Sequence, residues 1–377
     1  MTAGRLLEAA LDGCSIVVAA DRRAGDLASA LQRRGAQVQR APALSIVPNA
    51  DDEELLMRTR ELIAHPPDIV VVTTGVGFRG WIDAAHEHGL AEQLTAALDG
   101  SEFIARGPKA RGAIQQAGFV ADWVAESETA AEVGRYLLTD RVRGTRIAIQ
   151  QHGAGSDGLE DMLRAAGADV LTLTVYRWGP APDPELVRRS VLQAATSEID
   201  AVLFTSAPGA REWMRTAELL AVSDAVRARA FSGRLLVAAV GPITAAPLQE
   251  SGVRTVIADR GRLGSLARCV IAYFAEEDGA PRVRTVAGTL SVRSGGVVLS
   301  GEFIPLSRAG CSVLGALFDC GGRVLTRDEI SAYLPRARQN PHAVEMAVAR
   351  IRETLGRADI VQTVIKRGYR LAVEESA

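Results

Sequence analysis

Three separate blocks of this chain occur twice, and that repetition limits the fold more than any other feature of its 377 residues. D-I-V-V-V-T-T-G-V-G-F-R-G-W at 68–81 is matched by D-A-V-L-F-T-S-A-P-G-A-R-E-W at 200–213. Each reads as an Asp, an apolar strand, a Thr/Ser pair, a Gly-containing turn and a helix with Arg and Trp. F-I-A-R-G-P-K-A-R-G-A-I-Q-Q-A-G-F at 103–119 is matched by V-A-A-V-G-P-I-T-A-A-P-L-Q-E-S-G-V at 237–253, both strand, Gly-Pro, helix, Gly, strand. S-I-V-V-A-A at 15–20 pairs with R-I-A-I-Q-Q at 146–151. Continuous Val/Ile/Ala strands between amphipathic helices indicate parallel sheets covered on both faces. The pattern therefore predicts two similar α/β units with a cleft between them. Ligands of such sheets bind beyond the carboxyl ends of the strands. The turns Thr73-Thr74, Gly107-Pro108, Thr205-Ser206 and Gly241-Pro242 all fall at that edge.

The last third of the chain follows a different plan. Residues 275–287, A-E-E-D-G-A-P-R-V-R-T-V-A, are polar with Gly and Pro and read as a linker. Short strands are expected at 288–305, helices near 307–320, 326–333 and 341–356, and a terminal hairpin in V-Q-T-V-I-K-R-G-Y-R at 361–370. Ser307 and Thr326 suit helix N-caps, and Gly321 and Gly356 suit helix stops. Val344, Val348, Ile351 and Leu355 recur at the spacing of one buried helical stripe. Arg350 and Arg352 flank it, and the following hairpin carries Lys366 and Arg367 at its tip. A basic helix beside a basic hairpin suits a DNA groove and its adjacent phosphates. The net charge of −2 hides this asymmetry: 284–377 holds 13 Arg/Lys against 9 Asp/Glu, a net of +4, leaving −6 for the rest.

An apolar fraction of 47% is ordinary for a globular protein, and no apolar run of about 18 residues predicts a membrane span. The N-terminus lacks the apolar core of a secretory signal, so a cytoplasmic location is expected. Cys14, Cys269, Cys311 and Cys320 lack metal-site spacing and read as reduced thiols. No metal and no cofactor are expected.

The body, about 13–277, resembles uroporphyrinogen-III synthase. The resemblance rests on the order and spacing of F-T-S at 204–206, G-P-I-T-A at 241–245, G-P-K-A at 107–110 and G-A-D-V-L-T-L-T-V-Y-R at 167–177. It implies two flavodoxin-like α/β domains joined by two strands with a cleft between them. One would be assembled from 13–43 and 179–277, the other from 46–176. The tail, about 288–372, resembles the OmpR/PhoB-type winged-helix DNA-binding domain. L-S-R-A-G-C-S-V-L-G-A-L-F-D-C-G-G-R-V-L-T-R-D-E-I at 306–330 fits its first two helices, 343–356 its recognition helix, and 361–371 its wing. The combination resembles actinobacterial-type fused transcriptional regulators.

These resemblances imply sites. Synthases of this family close a linear tetrapyrrole, hydroxymethylbilane, without a cofactor, and Tyr176 matches their Tyr, a suggested proton donor. Thr205, Ser206 and Thr244 match family hydroxyl and amide positions. Thr73, Thr74, Arg106, Lys109 and His152 are further candidates for binding a polycarboxylate ligand. Departures weaken the case for the native substrate: His152-Gly153 stands where the family often has Arg-Gly, and Ala110 where it often has Thr. For DNA, Arg350, Arg352, Thr363, Lys366 and Arg367 are the leading candidates, followed by His342, Arg336 and Arg338. The wing position where the family often has Arg is Ile365.

The expectation is a transcription regulator whose synthase-like body serves as a sensory or protein-interaction module. Ligand closure would reorient the tail through the linker. Its expected partners are double-stranded DNA, a tetrapyrrole ligand, a second winged-helix activator or RNA polymerase, and a second copy of itself on DNA. Genes of nitrogen assimilation, linked through sirohaem, are the expected targets. The alternative is an active synthase with a DNA-binding tail.

Overall fold

Strands that are apolar along their whole length must be covered on both faces, and the central strands here are. Ile69–Val72, Ala201–Phe204 and Leu236–Ala239 are buried at every residue. The computed structural model describes residues 9–21, 24–48, 53–138, 142–151, 158–334 and 342–374. The chain divides into two units: Ser45–Gly179, and Met1–Leu44 with Pro180–Ala377.

The unit 45–179 contains a five-stranded parallel sheet. Its order is Trp123–Val124, Glu102–Ala105, Ile69–Val72, Arg146–Gln151, Asp169–Thr174. Alternate side chains of Ile69–Val72 enter opposite cores, Val70 and Val72 with Phe78 and Trp81, Ile69 and Val71 with Val133 and Leu159. An antiparallel ribbon pairs Ser45–Pro48 with Tyr176–Gly179, in the register Ile46 to Trp178.

The second unit has a matching sheet, ordered Val256–Ile257, Leu236–Ala239, Ala201–Phe204, Ser15–Val18, Gln37–Arg40, again all parallel. Numbered along the chain, its strands run 2-1-3-4-5, the flavodoxin order. The strands of 45–179 run 3-2-1-4-5, the same order circularly permuted. That explains why the block at 15–20 repeats at 146–151, after its neighbours instead of before them. The repeat extends to side-chain detail. The Trp81 indole N–H donates to Thr59 Oγ1 at 3.0 Å, and that of Trp213 to Ser190 Oγ at 3.0 Å. A buried indole needs such an acceptor.

The C-terminal part of the second unit is a winged helix. Four antiparallel strands, Val283–Thr285, Gly288–Arg293, Gly296–Leu299 and Glu302–Pro305, pair in sequence order. The first lies within the stretch read as linker, leaving only 276–282 between it and the helix Leu263–Ala275. Helices follow at Arg308–Asp319, Arg327–Ser331 and Ala343–Leu355, then the hairpin Val361–Val364 with Gly368–Leu371. Ser307 caps the first helix by accepting from Gly310 N–H, and Thr326 with Glu329 forms a capping box on the second. Gly356 ends the third at φ 62°, a left-handed position that costs glycine little.

The winged helix is joined to the α/β part of its unit by buried polar contacts, in addition to the chain between them. Asp200, at the foot of the strand Ala201–Phe204, accepts from Ser15 N–H at 2.8 Å, Ser294 N–H at 2.9 Å and the Ser294 hydroxyl. Buried Arg293 donates to the carbonyls of Asp12 and Phe274. Arg234 pairs with Asp319 at 3.0 Å, donates to Val292 O at 2.9 Å and lies over the Phe318 ring. The repeat offers a comparison. Asp68 opens the equivalent strand and accepts from Arg146 N–H at 2.7 Å, but it is exposed. The Asp that only ties strand ends in one unit also holds Ser294 in the other.

Burial raises the pKa of Asp200 above its ordinary value despite its hydrogen bonds, and raises that of Asp319 despite Arg234. Burial likewise pushes the Cys14 thiol well up, as expected of a packing residue rather than a nucleophile.

Candidate nucleic-acid interface and sheet-edge site

The helix Ala343–Leu355 buries Val344, Val348, Ile351 and Leu355. Its opposite face must therefore carry His342, Met346, Ala349, Arg350 and Glu353, and all five are exposed. Arg350 sits mid-face, and its side chain has no hydrogen bond or ion pair with the described residues. Glu345 is paired with Arg327 at 2.6 Å.

Arg352 is turned toward the hairpin. Its Nε and Nη2 donate to Val361 O at 2.9 and 2.6 Å, and Nη2 to Thr363 Oγ1 at 2.9 Å. The guanidinium is a strut between helix and hairpin, and it uses the Thr363 hydroxyl as an anchor. Lys366 and Arg367 are exposed at the tip, and Tyr369 is buried in the core. Three exposed residues on this side drew no sequence signal as contacts: Met346, Ile365 and Arg370. The first two are apolar, and Arg370 bonds Gln362 on the facing strand at 3.0 Å. Arg336, Arg338 and His152 lie outside the described residues.

The sheet-edge candidates fall into two groups. In 45–179, Thr73 and Thr74 follow the central strand, and Arg106 and Lys109 follow its neighbour, so all four share one carboxyl edge. The two threonines are engaged internally. Thr73 Oγ1 donates to Gln150 O at 2.7 Å. Thr74 caps the helix Gly75–Glu87 by accepting from Gly77 N–H, and its own N–H donates to buried Gln150 Oε1 at 3.1 Å. The edge is tight. A Cβ on Gly75 would lie 2.3 Å from Lys109 O, and one on Gly107 would lie 2.9 Å from the Glu128 side chain. Lys109 is exposed and Arg106 half-buried. Tyr176, on the ribbon, is buried edge-on against Trp178.

The other unit presents a more open edge. Ser206 caps the helix Ala207–Leu219 by accepting from Gly209 N–H, and Thr205 beside it is half-buried. Thr244 is buried in the first turn of Pro242–Glu250. A Cβ on Gly241 would meet nothing within 4 Å. Helix N-termini here can take an anionic group, whereas the Gly107 turn already has a carboxylate side chain beside it. Among the described residues no cluster of His, Cys, Asp and Glu could hold a metal, and no helix is long and apolar enough to cross a membrane.

The model of the family described as uroporphyrinogen-III synthase HemD matches residues 25–268, well over half of the chain. The chain belongs to that family. A second model, transcriptional regulatory protein, C terminal, matches 301–371, so this synthase-family body is fused to a transcription-regulator DNA-binding domain. An uncharacterised protein of Bacillus subtilis, YjjA, is 26% identical over 71% of this chain and 98% of its own length. The uroporphyrinogen III synthase of Thermus thermophilus, in a mutant crystal form, is 26% identical over 68% of this chain and 96% of that one, with a TM-score of 0.55. The tail aligns with the DNA-binding domain of Klebsiella pneumoniae RstA, solved with its RstA box (25% identity, 24% of this chain, 96% of that one, TM-score 0.21).

Proposed function

We propose that the chain is a DNA-binding transcription regulator in which the synthase-family body acts as a sensory or protein-interaction module. The observation that carries this reading is the join between body and winged helix. Asp200 and Ser294 link the foot of a central body strand to the DNA-binding domain, and the same strand ends at Thr205 and Ser206. A change at that edge has a short, hydrogen-bonded route to the winged helix, in contrast to a loose linker.

The ligand class we assign is a polycarboxylate of tetrapyrrole type, taken at the open edge of Thr205, Ser206 and Thr244. Genes linked to sirohaem and nitrogen assimilation are the proposed targets. A dimer on paired half-sites and contact with RNA polymerase or a second winged-helix protein complete the proposal. Three features favour sensing over catalysis: the internal engagement of Thr73 and Thr74, the Glu128 side chain beside Gly107, and the burial of Tyr176.

Selection of bound duplexes from a random library by the purified chain tests the reading. One enriched motif is expected, and no enrichment would overturn it. Incubation with hydroxymethylbilane separates the alternative. Only the spontaneous type I isomer is expected, whereas formation of type III above background would make the body an enzyme.

A further inference from the structure

Ile365 is the most exposed large hydrophobic side chain among the described residues, at 82%. It occupies the hairpin tip, where residues 365–367 bridge the closing pair Val364 and Gly368. Arg367 N–H donates to Val364 O at 2.9 Å, and Lys366 sits at φ 60°, a backbone position that costs a non-glycine residue energy. A β-branched apolar side chain at the apex of such a turn gains nothing in water.

The tip is not loose. Leu325 and Tyr369 exchange N–H···O bonds at 2.8 and 2.9 Å one pair below the tip. Gly368 packs so closely that a Cβ would lie 1.9 Å from Leu325 O. Arg352 ties Val361 and Thr363 to the helix Ala343–Leu355. Helix and hairpin are tied together by these bonds, and Ile365 stands at the tip of a hairpin anchored beside the exposed face of Met346, Ala349 and Arg350.

The surroundings select the partner. Residues 361–371 carry Lys366, Arg367 and Arg370 and no acidic residue. With the helix face in the major groove, a hairpin rooted beside the helix meets the next groove across a phosphate strand, and that groove is minor. Lys366 and Arg367 can neutralise phosphates there. Ile365 has no donor or acceptor to read bases, but it has volume. The guanine 2-amino group protrudes into the minor groove and would collide with it, while an A·T floor leaves room. Apolar wedges enter minor grooves in this way and partly open a base step.

We propose that Ile365 is an apolar wedge for the minor groove flanking the recognition-helix site, selecting against a guanine amino group. This rests on the DNA-binding reading above and adds to it a residue that determines specificity. The experiment uses the full chain and three alternating duplexes of equal length, d(AT)n, d(IC)n and d(GC)n. Inosine·cytosine keeps the major-groove pattern of G·C but lacks the 2-amino group, so it isolates the minor groove. The wild type is expected to bind d(IC)n about fivefold to tenfold more tightly than d(GC)n, and d(AT)n serves as a second duplex without the amino group. Ile365→Ala should bring the ratio close to one by tightening d(GC)n binding, because the collision is removed, and Ile365→Leu should keep the ratio. An exposed tip residue is dispensable for folding, which unchanged thermal unfolding of both variants would confirm. A wild-type ratio near one, or a ratio that survives Ile365→Ala, overturns the wedge and leaves the tip as a protein-contact surface. Failure of the wild type both to bind the three duplexes and to enrich any motif from the random library would instead sink the DNA-binding reading itself.

Discussion

Two arginines two residues apart on one helix lie in opposite settings. Arg350 is exposed without an internal partner among the described residues, while Arg352 is bonded to Val361 and Thr363. Removing Arg352 leaves a carbonyl acceptor and a hydroxyl without their donor, at a cost of about 1–2 kcal/mol. Arg352→Ala should therefore lower the denaturation midpoint of the full chain, and Arg350→Ala should not; equal midpoints would deny the strut. Asp200 gives a second residue-scale test. Its folded pKa is raised by burial, so the folded chain holds this proton more tightly than the unfolded chain does. The resulting stability is full below the unfolded value and is lost as pH rises through the folded one. The stability advantage of wild type over Asp200→Asn should accordingly shrink as pH rises from about 4 toward neutrality, in urea unfolding at stepped pH. A flat difference would mean that Asp200 keeps its ordinary pKa.

At the scale of elements, most of the architecture was legible in the chain because each element carried its own signal. The runs Ile69–Val72 and Ala201–Phe204 are apolar throughout, as doubly covered strands require, and they became sheet centres. Ser307, Thr326 and Gly356 marked helix ends through local backbone chemistry and were found there. What escaped notice depends on partners distant in sequence. The bond of Arg352 to Val361 was not legible because a helical wheel does not show a carbonyl on a hairpin nine residues away. Val283–Thr285 looked like linker because three residues cannot announce a strand that is supported partly by Val373 and Glu374, about 90 residues away. Ser294 meets Asp200 across 94 residues, and although the repeat marks Asp200, nothing local marks Ser294 as its partner. The Thr326 capping box is a test at this scale. Thr326→Ala should cost about 1 kcal/mol and weaken DNA binding only through stability, so affinity per folded molecule stays constant. A loss of affinity beyond the folded fraction would put Thr326 in the interface.

At the scale of the whole molecule, the join inside the second unit decides how a signal could travel. Arg234 touches Asp319, Val292 O and the Phe318 ring at once, and Arg293 reaches Asp12 and Phe274. These contacts predict that the α/β part of this unit and the winged helix unfold together. Arg234→Ala strands Asp319 without its partner and should split calorimetric unfolding into two transitions. A single transition in the variant would show that the join is not what couples them. Repetition built the body, and one repeated aspartate now holds the DNA-binding domain in place.

The most direct test of the central claim is the affinity of the full chain for its selected duplex, wild type against Arg350→Ala, at one stated salt concentration. A regulator that reads DNA through this helix face should lose at least about tenfold in affinity for that duplex, with binding to unrelated duplexes much less affected. Equal affinity of wild type and variant would show that this helix face does not read DNA.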